Sequence, residues 1–343
     1  MIYKRLVVSI TVLTQAIITV GQDFGYSMIS RAPIQLNPAL AGTAQNDSGT
    51  GAGRVMLNSR NQWVNLPVGV NGITVSYDQH VNKIGGAFGV TGTREVAMER
   101  FWNTVSGSMV YSQYLNLGNK LSIRLGAEAQ VVNRSYSWVR IPRIYDDFDP
   151  SYYFVDASKL SSTASGRTTF FNLNGGLLLY TRAFYGGLAV HNSTQPYQKI
   201  GDSLRFQVPR SVTFHGGYQF VKKGKSGKTV SLTPHLLYQK QGQIQQFGGG
   251  CYVAREAFIF GAWCRNIRSV GLNEQEYLLV LGYRMNNVRV GYGYEIHPGE
   301  VNQVHASSHE IHLAYVWQNK NVKSVVRSMP SPWVEIDKEN DRD

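Results

Sequence analysis

After its first 20 residues the chain lacks any apolar stretch long enough to cross a membrane as a helix. Charged residues are scarce too, at 16% of the 343 residues, whereas soluble domains contain about a quarter. Apolar residues at helical spacing are nowhere as regular as those at strand spacing. These shortages disfavour a helical fold, and they predict that a mature chain entering a membrane does so as strands.

Cysteine is nearly absent, with only Cys251 and Cys264. The hairpin predicted for this region places Cys251 opposite Phe260 rather than opposite Cys264, so the sequence leaves a disulfide open without favouring one. Neither cysteine has a second soft ligand nearby, which disfavours zinc. His309 and His312 would face opposite sides of a strand, and we predict no metal site.

Enzyme motifs are missing as well. The sequence contains no GxSxG nucleophile motif, no P-loop and no HExxH metal motif. Three close aspartates, Asp146, Asp147 and Asp149, resemble a sparse calcium loop but lack its glycine and its distal glutamate. We therefore predict no enzymatic activity, no catalytic residue and no cofactor.

What the sequence does contain is strict alternation. In KLSIRLGAEAQVV, residues 120–132, aliphatic side chains occupy one parity and mostly polar or charged side chains the other. A period of two is the signature of a strand, because successive side chains point to opposite faces. The segment is about twice as long as a usual strand of a soluble protein. The 35 glycines and 20 tyrosines suit a β protein with many tight turns and an interfacial aromatic layer.

Turn-forming residues divide the chain into 14 segments of this kind. The even-numbered connections are mostly tight, such as HVNK and NLGN. The odd-numbered ones are mostly longer: the fifth, seventh, eleventh and thirteenth lie near residues 135–166, 192–209, 265–272 and 297–306. This sorting of loops, with an even strand number, predicts an all-β fold: a closed antiparallel transmembrane β-barrel with short periplasmic turns and longer extracellular loops. Closure is required because every backbone polar group in a membrane needs a partner.

The alternation also assigns a direction to each side chain of such a barrel. Leu125, on the aliphatic parity, would contact lipid, so Leu125→Arg is expected to impair insertion by roughly 2–4 kcal/mol near the midplane, while Arg124→Leu is expected to be tolerated. The lumen-facing charges are predicted to be Arg124, Glu128, Arg134, Arg289, Glu295 and Glu310. They would either line a pore or pair across a filled interior. Their mixed signs favour the filled interior.

Four segments follow from these patterns. Residues 1–21 are predicted to be a signal peptide, because Lys4 and Arg5 precede an apolar run. Residues 22–50 would form a periplasmic or plug segment, residues 51–318 the barrel and residues 319–343 a periplasmic tail. In the tail, Pro330, Pro332 and Trp333 could dock on a partner. The net charge of +12 is spread along the chain, which argues against a nucleic-acid partner.

Two short motifs carry a resemblance to a known family. One is an Asn-Pro-Ala-x-Ala-Gly motif at Asn37, Pro38, Ala39, Ala41 and Gly42, and the other is RNQW, with Arg60, Gln62 and Trp63. With the length and the strand rhythm, they resemble the PorP/SprF family of outer-membrane proteins linked to type IX secretion and gliding in Bacteroidetes. The segment Tyr26–Ser30 departs from the Tyr-Met-Phe-Asn stretch that is usual in this family. Physically, Pro38 and Gly42 predict a tight turn that locks the N-terminal segment against the rim or the lumen.

The resemblance implies a non-enzymatic outer-membrane protein that works with type IX secretion components. It would support secretion, or export and anchor a surface adhesin. The periplasmic turns and the tail would meet the apparatus, and the long loops would meet the exported client. A general porin or small-solute uptake channel is the alternative.

Overall fold

In a computed structural model of the chain, the described residues are 32–46, 49–50, 53–64, 69–97, 101–118, 120–137, 165–200, 204–224, 228–269, 272–301, 304–317 and 329–331. The predicted signal peptide, the three loop aspartates, and Pro332 and Trp333 of the tail lie outside these ranges. Among the described residues, no helix is long and apolar enough to span a membrane.

Fourteen long strands dominate the structure and are numbered here in chain order. They are β1 Gly53–Gln62, β2 Val70–Val81, β3 Gly86–Ala97, β4 Trp102–Leu117, β5 Leu121–Ser137, β6 Ser165–Tyr180, β7 Phe184–His191, β8 Ser211–Tyr218 with its continuation Phe220–Lys223, β9 Thr229–Gln241, β10 Ile244–Arg255, β11 Phe258–Ser269, β12 Leu272–Met285, β13 Val288–Val301 and β14 Val304–Trp317. The shorter elements are helix α1 Pro33–Leu36, the 3₁₀ turns Pro38–Leu40 and Asn82–Ile84, and two small ribbons, Gln45–Asn46 with Gly49–Thr50 and Tyr197–Ile200 with Leu204–Gln207.

The strands close into one antiparallel barrel. Each pairs with its neighbours along the chain, and β14 returns to β1, where Leu313 lies opposite Leu57. At the far side of the ring, Phe214 of β8 lies opposite Leu188 of β7 and Tyr238 of β9. The prediction of a closed antiparallel barrel of 14 strands is confirmed.

The two faces of the barrel differ as the alternation requires. On β5, Leu125 is 48% exposed whereas Arg124 is 0% exposed. On β12, Leu279 is 55% exposed while Leu278 next to it is buried. A continuous apolar outer face of this kind is stable only in contact with acyl chains, because in water it would exceed the apolar patch that soluble proteins tolerate.

The barrel has two distinct ends. The turn side carries the connections that follow β2, β4, β6, β8, β10 and β12, together with both ends of the barrel, Gly53 and Trp317. The loop side carries the other connections, including the long segments 138–164 and 192–210.

Two loop-side connections are shorter than the sequence predicted. β11 runs to Ser269 and β12 begins at Leu272, while β13 runs to Val301 and β14 begins at Val304. The sequence pattern ended β13 near His297 because Pro298 and Gly299 follow. The strand continues past them through a register irregularity between His297 and Val301. Bulges are among the few places where a strand tolerates proline.

The register predicted around the cysteines is wrong by two residues. Cys251 lies opposite Ala262, and Cys264 lies opposite Gly249. The β10–β11 turn is centred on Glu256 and Ala257, one residue later than predicted, and Glu256 adopts a positive φ of 53° to make it. Both cysteines are free thiols on the outer face.

Candidate functional site

The N-terminal residues 32–44, called the plug here, lie inside the barrel. Helix α1 and the 3₁₀ turn both begin with proline, whose fixed φ and missing N–H suit the first position of a helix. Asn37 separates the two elements and is 0% exposed, and Ala39 and Ala41 are as fully buried. The 3₁₀ turn packs against β4, β5 and β6. The plug therefore forms part of the protein's core rather than a peripheral arm.

Asn37 joins the plug to the wall through both ends of its amide. Its Oδ1 accepts from the backbone N–H of Ala39 at 2.9 Å, which caps the 3₁₀ turn. Its Nδ2 donates to the carbonyl oxygens of Leu177 and Leu188 at 3.1 and 3.3 Å, and it lies 3.0 Å from His215 Nε2. A carbonyl oxygen of β6 and one of β7 thus bind the first residue of the family motif.

Three glycines make room for the plug in the wall. They are Gly126 on β5, Gly176 on β6 and Gly187 on β7. A β-carbon on Gly126 would overlap the backbone N of Ala39, and one on Gly176 would overlap Asn37 Oδ1. Glycine inside a strand usually weakens it, and it is found where another backbone approaches closely. Here the approaching backbone is the chain's own N-terminal segment.

Gly42 ends the motif and is held by a carboxylate. It adopts a φ of +72°, which favours glycine, and its N–H donates to Asp78 Oδ2 at 2.6 Å. Arg54 donates to both oxygens of Asp78, at 2.6 and 3.1 Å, and to the carbonyl of Leu40 at 3.3 Å. Gly42 and Arg54 thus fix the position of the buried Asp78 side chain, because both of its oxygens accept hydrogen bonds.

Arg124 binds the same end of the plug from β5. Its Nη1 donates to the carbonyl of Ala41 at 2.9 Å and its Nη2 to that of Gly42 at 3.1 Å. The guanidinium carbon lies 5.3 Å from the centroid of the Tyr114 ring. Arg124 thus binds the plug, so Arg124→Leu is expected to remove plug contacts even where the barrel itself tolerates the substitution.

Further plug contacts come from β2 and β4. Gln35 Nε2 donates to Thr74 Oγ1 at 3.1 Å on β2, and Ser112 Oγ donates to the carbonyl of Ala39 at 3.2 Å. From the turn side, Met329 of the C-terminal tail packs against the cluster that contains Leu40. The plug and residues 329–331 of the tail therefore lie close together.

A second polar cluster lies on β1, β11, β12 and β13. Arg60 donates to Glu295 Oε2 at 2.8 Å, and Arg265 pairs with Glu295 and, at 2.9 Å, with Glu276. His297 Nε2 lies 2.7 Å from Glu276 Oε1. We call these five residues the charge network. Each carboxylate accepts from at least one guanidinium, as buried charges require.

The charge network contains the only set of side chains, within the described part of the chain, whose geometry could suit a metal ion. Glu276, Glu295 and His297 present ligand atoms within 4.8 Å of one another. Arg60 and Arg265 already neutralise the two carboxylates. A divalent cation would have to displace both guanidiniums, so the arrangement favours an ion-pair network over a metal centre.

The second family motif supplies one member of this network. Arg60 is 3% exposed. Trp63 adopts a positive φ of 56° and its N–H donates to Ser308 Oγ at 3.3 Å. Its ring meets His297 edge-on, with the centroids 6.3 Å apart. Gln62 is half-buried at the end of β1. The two motifs therefore bind different walls and do not form one site.

The other predicted lumen charges have local partners. Glu128 is buried and accepts from Asn174 Nδ2 at 2.8 Å. Arg134 is half-buried near the loop side and donates to Thr104 Oγ1 at 3.0 Å. Arg289 and Glu310 are buried on β13 and β14.

Sequence reasoning did not select several residues that build these sites. They are Arg54, Asp78, Gly126, Gly176, Gly187, His215, Arg265, Glu276 and His297. The available signal was parity: Asp78 and His215 sit on the polar face of strands whose alternation is clear. Parity gives a direction into the lumen, but it does not say which of many inward residues touch the plug.

Comparisons with known proteins bear on the fold and the family. The monoaromatic hydrocarbon channel CymD is 11% identical, with 84% of this chain and 92% of that chain covered and a TM-score of 0.46. The toluene transporter TodX of Pseudomonas putida is 10% identical, with 86% and 94% covered and a TM-score of 0.45. A FadL homologue of Pseudomonas aeruginosa is 10% identical, with 82% and 91% covered and a TM-score of 0.44. Likeness at this level carries no argument about function.

Sequence comparison is more specific. No curated protein sequence matches the chain significantly. The family model described as type IX secretion system membrane protein PorP/SprF matches residues 19–315. That match spans the plug, both short motifs and nearly all of the barrel. The chain therefore belongs to the PorP/SprF family of type IX secretion system membrane proteins.

Proposed function

We propose that this protein is a non-enzymatic outer-membrane barrel of the type IX secretion and gliding machinery that acts through protein contacts at its rims. It supports secretion, or the export and surface anchoring of an adhesin. Secretion components would bind the turn side, in the periplasm, and the exported client would bind the loop side. Membership in a type IX secretion family supports the general role.

The observation that carries the proposal is the anchored plug. Four groups of the plug bind four separate strands. Asn37 lies within hydrogen-bond distance of His215 on β8, and Gly42 donates to Asp78 on β2. The carbonyl of Ala41 accepts from Arg124 on β5, and that of Leu40 accepts from Arg54 on β1. A plug held by buried and charge-assisted hydrogen bonds is costly to remove. Such an arrangement suits a protein whose rims bind partners, and it does not suit a pore that passes solutes continuously.

Planar-bilayer recording tests this proposal. We expect the full-length protein to give no steady conductance, and a variant lacking residues 32–44 to give open channels. A steady conductance of the full-length protein would contradict the proposal and favour a general porin or uptake channel. The charge network would then line the path of the solute.

Affinity purification from the native envelope tests the partners. We expect the tagged protein to recover a secretion-apparatus component or a large surface adhesin, identified by mass spectrometry. A matched barrel of another family serves as the control. Recovery of neither class would contradict the proposed role.

A further inference from the structure

The turn side of the barrel is strongly basic. Among the described residues, eight exposed or half-buried Lys and Arg side chains lie in its six connections or within two residues of them, and Arg289, which also falls in this window, is buried. The eight are Lys83, Lys120, Arg182, Lys222, Lys223, Lys228, Arg255 and Arg284. Glu256 is the one acidic residue among the described positions there, and it pairs with Lys228 at 2.8 Å. We call these eight residues the basic ring.

The loop side has no such imbalance. By sequence its connections, with the two residues on either side of each, contain seven acidic residues (Glu99, Asp146, Asp147, Asp149, Asp156, Asp202 and Glu300) and nine basic ones (Arg100, Arg140, Arg143, Lys159, Lys199, Arg205, Arg210, Lys240 and Arg268). The positive charge is therefore a property of one end of the barrel rather than of the whole basic chain.

The basic ring follows the circumference. Every one of the six turn-side connections carries at least one member, so the charge does not form a one-sided patch. A protein partner that docks from one side would need charge on only one sector. A membrane leaflet surrounds the barrel and meets all sectors at the same depth.

The depth of the basic ring matches the level of lipid headgroups. Arg255, on the outer face of β10, lies opposite Phe258, whose ring is 5.1 Å from that of the outward-facing Tyr283. Lys222 comes two residues after Phe220, which is 54% exposed. Aromatic side chains mark the boundary of the hydrocarbon layer. Lys and Arg just beyond them place their charged ends among the phosphates while their stems stay in apolar surroundings.

We propose that the basic ring binds the phosphate groups of anionic phospholipids in the turn-side leaflet. Each Lys or Arg near an anionic surface contributes about 1 kcal/mol, which corresponds to roughly a fivefold gain in lipid binding. The ring thereby fixes the depth of the barrel and enriches anionic lipid around it. This inference does not depend on the proposed role in secretion.

Native mass spectrometry of the full-length protein released from detergent tests the proposal. The probes are phosphatidylglycerol, which is anionic, and phosphatidylcholine, which is zwitterionic. We expect the wild type to retain phosphatidylglycerol preferentially. The triple variant Lys83→Gln, Lys120→Gln, Lys223→Gln should lose that preference by about fivefold or more. The control triple variant Lys199→Gln, Arg205→Gln, Lys240→Gln removes the same charge near the loop side and should keep the preference.

Three outcomes would overturn the proposal. They are equal retention of both lipids by the wild type, an unchanged preference in the turn-side variant, and an equal loss in the loop-side control. Heat-modifiable migration on a gel verifies that each variant has folded. If the turn-side variant does not fold, the wild type alone still tests the proposal. Its preference for phosphatidylglycerol must fall when salt is raised from 0.1 to 1 M, because the Debye length shrinks from about 10 to about 3 Å.

Discussion

The two polar regions of the lumen use similar residues in different ways. Around the plug, Arg124 and Arg54 donate to backbone carbonyls of another segment of the chain. In the charge network, Arg60 and Arg265 donate to carboxylates of strands one or two places away in the sheet. Arginines that the sequence pattern places in the lumen thus either bind the plug or join strands of the wall to one another. The first region should control what passes through the barrel, and the second should control whether the barrel persists.

The charge network should give the largest stability effect. Arg60 and Arg265 both pair with the buried carboxylate of Glu295, and Glu295→Ala removes that partner from both. Breaking a buried ion pair costs about 3–5 kcal/mol. We expect a lower urea midpoint for unfolding of the lipid-reconstituted barrel. Glu256→Ala, which removes an exposed partner of Lys228, is the control and should leave the midpoint unchanged. If Glu295→Ala and Glu256→Ala lower the midpoint equally, the buried charge network does not stabilise the barrel more than an exposed ion pair does.

Arg124→Leu should release the plug without unfolding the barrel. The substitution removes two charge-assisted hydrogen bonds to the carbonyls of Ala41 and Gly42, each worth about 1.5–3 kcal/mol. A reporter cysteine in place of Ala41, which is buried in the wild type, should become reactive to maleimide. Arg134→Leu, on the same strand but bonded to Thr104, should leave the reporter protected. A protected reporter in Arg124→Leu would show that the plug does not depend on this arginine.

Gly176→Ala should weaken the plug through packing alone. The added methyl would overlap Asn37 Oδ1, and overpacking of this kind costs about 1–3 kcal/mol. Open-channel events in planar bilayers should become more frequent. Gly92→Ala adds a methyl with nothing within 4 Å and is the matched control. If Gly176→Ala opens no more often than the wild type, the plug does not need a glycine at this position of the wall.

The tail contact should give the smallest effect. Gln219 Nε2 donates to the carbonyl of Ser331 at 3.0 Å, where β8 is interrupted. Losing one neutral hydrogen bond costs about 1 kcal/mol, so Gln219→Ala should raise protease cleavage of the tail modestly and leave conductance unchanged. Gln79→Ala, on the outer face of β2, is the control. Conductance that rises with tail cleavage would make the tail part of the plug.

The plug shows where sequence reasoning stopped. Pro38 and Gly42 predicted a tight turn, and the structure has a 3₁₀ turn that begins at Pro38 and a positive φ at Gly42. The partners of that turn, Asp78 and Arg124, lie 36 and 82 residues away along the chain. No local pattern connects them, because contact between distant segments depends on how the barrel closes.

The hairpin at the cysteines shows a finer limit. A tight connection was expected between β10 and β11, but a shift of one residue in the turn moved the partner of Cys251 from Phe260 to Ala262. Register depends on which residue takes the positive φ, and Glu256 is an unusual choice for it. Likewise Pro298 predicted the end of β13, whereas a bulge let the strand continue.

The sequence by itself determined the barrel: the period of two, the spacing of turns and the even strand number specify which side chains meet lipid and which meet the lumen. That is so because strand geometry is local and a membrane requires every edge to be paired. Only the tertiary structure decided how the lumen is filled. The plug's hydrogen bonds, the glycine contacts and the charge network join residues that are far apart along the chain, and these meet only once the sheet has closed.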